Sequence, residues 1–137
     1  MMAKTRLIPA LAALVLVWGF AANAQEAVPP ENCVSLTRLD STFIVDDQTM
    51  LFYMKGKDVM LNSLPSKCPS LRSEGRFMYR VMLNQLCHND LITVIYDAGF
   101  GLMEGPSCQL GKFQPISQAV AEKLRARKGA ERDAAAE

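Results

Sequence analysis

The sequence predicts a mainly β fold: a small antiparallel barrel or roll of about five to seven strands, stapled by two disulfides and followed by a short C-terminal helix. Three observations lead there. Short runs of alternating or β-branched residues recur between turn signals from Cys33 to Ile116. Four cysteines, Cys33, Cys68, Cys87 and Cys108, lie in a chain that begins with an export signal. A helical period emerges only after Ile116.

The signal comes first in the chain. Lys4 and Arg6 precede an apolar run from Leu7 to Phe20, and Ala22-Asn23-Ala24 follows as a small-x-small site. This is the pattern of a secretory signal peptide cut after Ala24. The run is short for a membrane span, and no cysteine stands at the cut to carry a lipid. The expected organisation is a signal peptide over 1–24, a linker over 25–30, a disulfide-stapled β domain over 31–117, and a short helix with a frayed charged tail over 118–137. The signal suits bacterial export to the periplasm, with no stable membrane insertion once it is removed.

Of the 15 basic residues, Lys4 and Arg6 fall in the signal, leaving 13 against 14 acidic ones. Such a balanced chain lacks the basic footprint of a nucleic-acid binder. What remains after the signal is enough for one domain.

Leu36–Val45 reads as the first strand and Thr49–Met54 as the second, with Asp46-Asp47-Gln48 as the turn between them, because aspartate bonds local backbone groups readily. Lys55-Gly56-Lys57-Asp58 is a second turn, leading to Val59-Met60-Leu61. Ser63–Pro69 and Ser73-Glu74-Gly75 carry further turn chemistry. Arg76–Leu83 alternates two faces and reads as one strand. Leu91–Tyr96 is β-branched and continuous, as a central strand should be. Gly99–Ser107 reads as a flexible hairpin loop, and Cys108–Phe113 as a short strand ended by Pro115. Ile116, Val120 and Leu124 give a thin helical stripe, Gly129 a stop, and the basic residues Lys123, Arg125, Arg127 and Lys128 a solvated face.

An even cysteine count in an exported chain implies two disulfides, and four cysteines allow three pairings. The nested one, Cys33–Cys108 with Cys68–Cys87, ties the ends of the domain and is the expectation. The lack of a C-x-x-C spacing removes support for a thioredoxin-like role or a thiolate zinc site.

No strong catalytic motif occurs. His88 stands alone among turn residues, and Gly99-Phe100-Gly101 with Gly105 precedes a strand rather than the helix a phosphate loop must open. Phe100, Leu102 and Met103 are the expected partner contacts. Met50 with Met54, Met78 with Met82, and His88 define an alternative, Cu(I) binding through thioethers, although methionine is also an ordinary core filler. A further alternative is an enzyme in which Asp46, Asp90 or Asp97 converge in a pocket; adjacent Asp46 and Asp47 by themselves read as a bend.

Cys33 with Leu36-Thr37-Arg38, Asp46-Asp47-Gln48-Thr49, Leu64-Pro65, Cys68-Pro69-Ser70-Leu71, Leu86-Cys87 ahead of Leu91-Ile92, Cys108, and Gly111-Lys112-Phe113-Gln114-Pro115-Ile116 form an ordered set. In these landmarks the chain resembles a family of small exported proteobacterial proteins of unknown function over about residues 31–117. The resemblance implies a periplasmic, disulfide-containing β domain and carries over no activity, ligand or catalytic residue. The sequence therefore leads to a non-enzymatic binding or accessory module for a protein or small ligand, with no cofactor. One concrete form is an accessory or inhibitor of an envelope enzyme that docks through the Gly99–Ser107 loop.

Overall fold

The computed structural model describes residues 28–136; the expected signal peptide over 1–24 lies outside them. Nine strands and two helices follow in order: β1 (Cys33–Ser35), β2 (Leu39–Ile44), β3 (Thr49–Met54), β4 (Val59–Ser63), α1 (Leu71–Glu74), β5 (Phe77–Tyr79), β6 (Gln85–Cys87), β7 (Leu91–Asp97), β8 (Leu102–Gln109), β9 (Phe113–Ile116) and α2 (Gln118–Ala135). The strands form three antiparallel sheets: β2-β3-β4-β9, β5-β7-β8, and the two-stranded ribbon β1-β6. The mainly β prediction holds. Among the described residues the sheets do not close into a barrel, and the strand count exceeds the expected one because Cys33–Ser35, Gln85–Cys87 and Leu102–Gln109 also form strands.

The four-stranded sheet is covered on both faces. Met50, Phe52 and Met54 of β3 and Met60 of β4 point into the main core, where Ile92 and Val94 of β7, Val34 of β1 and Leu86 of β6 meet them. Phe52 packs edge-on against Phe113, with ring centroids 5.2 Å apart. The alternate residues Leu51 and Val59, with Val45, face the other way and are covered by Ala121 and Leu124 of α2. Because successive strand residues face opposite sides, only a doubly covered strand tolerates a run such as Met50-Leu51-Phe52. Leu91–Tyr96 is central as expected, with β7 between β5 and β8.

Several boundaries differ from the sequence reading. Leu36–Val45 is not one strand. Arg38 N–H donates to Ser35 O and Leu39 N–H to Leu36 O, which turns the chain between β1, paired with β6, and β2, paired with β3. Arg76–Leu83 is strand only over Phe77–Tyr79, the stretch that faces β7; beyond it Met82 is 100% exposed. Alternation marks faces, but a strand also needs a neighbour. Leu102–Ser107 belongs to β8 rather than to a loop, so the hairpin turn is short, closed by Ala98 N–H donating to Gly101 O. Cys108 lies one residue before the end of β8, and β9 begins afresh at Phe113 and contains Pro115. Proline fits there because β9 ends its sheet, and on its outer side only Phe113 is bridged, by Glu31.

The disulfides are also paired differently. Cys33 bonds Cys87 and Cys68 bonds Cys108, an interleaved arrangement that replaces the nested pairing. The cause is topological. β1 lies against β6, with Cys33 directly opposite Cys87, while β8 brings Cys108 to the turn that precedes α1.

The tail does not fray at Gly129. The helix continues to Ala135 because its charged residues dock. Lys128 Nζ donates to Ile44 O at 2.6 Å and lies over the Phe43 ring, as does the Arg125 guanidinium. Arg127 approaches Asp46 at 3.6 Å, and Arg72 on α1 pairs with Glu131 at 2.8 Å. Three members of the expected solvated basic face are thus turned toward the sheet, and only Lys123 has no such contact among the described residues. No helix among the described residues is long and apolar enough to cross a membrane.

Candidate functional site

Two edge strands come to the same place. β2 is the end of the four-stranded sheet and β5 the end of the three-stranded one, and no backbone hydrogen bond joins them among the described residues. Between them runs an open groove of about 850 Å³. Leu39 and Ser41 line one side, Phe77 and Tyr79 the other, and Leu36 and Leu102 extend its apolar surface. Asp40, Arg76 and Glu104 supply charge along it, and Arg80 holds Glu104 through a 2.6 Å ion pair.

Each edge strand leaves one side of its backbone ladder unpaired, which is a template for another strand. On β2 the register shifts between Leu39 and Ser41, and Lys128 takes the carbonyl of Ile44, so the regular open stretch is Ser41–Phe43. A bulge at an edge shortens the template and thereby limits unselective pairing. The groove thus combines apolar pockets with short lengths of unused backbone donors and acceptors, the two elements that bind an extended peptide.

The sequence-derived candidates fall in different places. Leu102, 67% exposed, lines the groove. Phe100, 87% exposed, stands in the neighbouring hairpin turn, and Met103, 42% exposed, sits opposite Tyr96 on β8. The methionines do not converge. Met50 and Met54 fill the core, Met78 is half-buried on β5 and Met82 is fully exposed. His88 is half-buried, and its Nδ1 has no hydrogen-bond partner among the described residues. No group of three or more His, Cys, Asp or Glu among those residues is placed to hold a metal ion.

The acidic candidates are likewise separate, each engaged in its own turn. Asp46 Oδ1 accepts from Gln48 N–H, Asp90 Oδ2 from Cys87 N–H and Asp97 Oδ1 from Gly99 N–H. Asp47 does more than bend the chain. Its Oδ1 accepts from Arg72 N–H in the first turn of α1, and its carbonyl accepts from Cys68 N–H. Around it lies a second, polar hollow bounded by Lys67, Arg72 and Glu131, whose charges are largely matched within the hollow. On its helix side, burial lowers the Lys128 pKa, and the nearby Arg72 and Arg132 lower it further.

Sequence reasoning missed Leu36, Leu39, Phe77 and Tyr79 as a set. The sequence places each only within a strand, and the unpaired edges turn them into a surface. Comparison with known protein families, with curated proteins and with solved structures gives no match.

Proposed function

We propose that the protein is a periplasmic, non-enzymatic binding module that holds an extended segment of an envelope protein in the groove between β2 and β5. The observation that carries this reading is the meeting of two open strand edges across an apolar groove. Backbone pairing would supply affinity and the Leu36, Leu39, Phe77 and Tyr79 surface would select side chains. The exposed Leu102 at its margin and Phe100 beside it would extend contact onto the β7–β8 hairpin.

Location rests on separate support. Both disulfides are formed, which fits an oxidising, exported setting. The signal pattern at 1–24 and the resemblance to small exported proteobacterial proteins favour the periplasm.

Photo-crosslinking in the native envelope tests the reading. A photoreactive residue at exposed Ser41, on the groove edge, is expected to capture a discrete protein. The same residue at Glu122, on the exposed side of α2, is expected not to. Equal capture at both positions, or none at Ser41, would overturn the proposal.

A further inference from the structure

The two disulfides sit in contrasting surroundings. Cys68 is fully buried, and its bridge to Cys108 anchors the turn before α1 to the end of β8. Cys33 and Cys87 are both half-buried and stand directly opposite each other on the two-stranded ribbon.

That ribbon is held by more than its bridge. His88 N–H donates to Asn32 O at 2.7 Å and Leu36 N–H to Asn84 O at 3.0 Å, extending the ladder on both sides of the β1–β6 pairs. Val34 and Leu86, paired across it, are buried in the core. Opening the Cys33–Cys87 bond would therefore leave the two sulfurs facing each other, ready to close again.

Thiol–disulfide exchange requires a thiolate to reach one sulfur and the other sulfur to depart as a thiolate. At Cys33–Cys87 both cysteines are half-buried, so neither departing thiolate is expelled into a fully buried position. At Cys68–Cys108 the half-buried Cys108 is the open side, and attack there expels the Cys68 thiolate into an apolar core, where a thiolate is disfavoured.

We infer that Cys33–Cys87 is a site of reversible exchange with an external dithiol, while Cys68–Cys108 is structural. One thiolate of the dithiol attacks a sulfur of the Cys33–Cys87 pair, forming a mixed disulfide and releasing the other cysteine as thiolate. The second thiol of the reagent then displaces the remaining cysteine. The reagent leaves as a disulfide, oxidised by two electrons, and its two protons end on Cys33 and Cys87. The inference is independent of what the groove binds.

Limited reduction of the folded protein with dithiothreitol, followed by alkylation and peptide mapping, tests it. The expected intermediate carries label on Cys33 and Cys87 alone, keeps its β circular dichroism, and recloses with oxidised glutathione. It should form about tenfold faster, or more, than label appears on Cys68 and Cys108. A Cys33→Ser/Cys87→Ser variant supplies the second measurement: its remaining bridge should resist the same dithiothreitol concentration. Label on Cys68 and Cys108 first, simultaneous label on all four, or rapid reduction of the variant's bridge would each overturn the assignment.

Discussion

Asn62 is a fully buried polar residue, and its amide is satisfied by one partner, the backbone of Gly111. Nδ2 donates to Gly111 O at 2.8 Å, and Oδ1 accepts from Gly111 N–H at 2.9 Å. This clamp joins β4 to the segment that leads into β9, and it works only if the two backbones nearly touch. A Cβ at position 111 would stand 2.0 Å from Ser63 O, a backbone atom that cannot swing away. Gly111→Ala is therefore expected to destabilise the fold by about 3 kcal/mol or more, read from denaturant unfolding. A change within about 0.5 kcal/mol would show that the close approach does not occur. Asp47 illustrates a different limit at this scale. Sequence placed it correctly in a turn, but its side chain bonds Arg72 N–H, 25 positions away. Local turn chemistry is legible because both partners are close in sequence; a bond between distant segments is not.

The elements divide by how much neighbours decide them. The β3 and β7 runs were legible because strands buried in the middle of a sheet must be apolar over most of their length. The edge pieces were not, since β5 ends where its pairing with β7 ends and β9 admits Pro115 because its outer side is bridged only at Phe113. For α2 the sequence showed a thin stripe and a glycine, a pattern that ends a helix standing alone. Docking by Arg125, Arg127, Lys128 and Glu131 carries it through Gly129 to Ala135. A Cβ on Gly129 would meet nothing within 4 Å. Gly129→Ala should then raise stability by up to about 1 kcal/mol by removing backbone freedom from the unfolded chain. Thermal unfolding checks this, and a lower melting temperature would mean that the helix does not run through this position.

Over the whole molecule, the interleaved disulfides fasten sheets that the chain visits out of order. The spans they close are 54 and 40 residues long, and loop-closure entropy sets an upper bound of about 4 kcal/mol for each. Replacing Cys68 and Cys108 together by alanine is expected to cost up to that amount, measured by urea unfolding against the intact protein; no loss would mean that this bridge does not stabilise the fold. The same topology creates the groove. Three sheets that share a core but do not close leave β2 and β5 as facing edges, so the candidate surface is a property of the architecture rather than of a motif.

The sequence by itself determined the fold class, the presence of two disulfides, the β3 and β7 strands and the Asp46-Asp47 turn. Each follows from composition, from period-two patterning or from contacts a few residues long. The tertiary structure alone decided which cysteines meet, where the edge strands stop, how far α2 extends and that Leu39, Ser41, Phe77 and Tyr79 line one groove. Those outcomes depend on which distant strands become neighbours, and side-chain periodicity names the face of a strand without naming its partner.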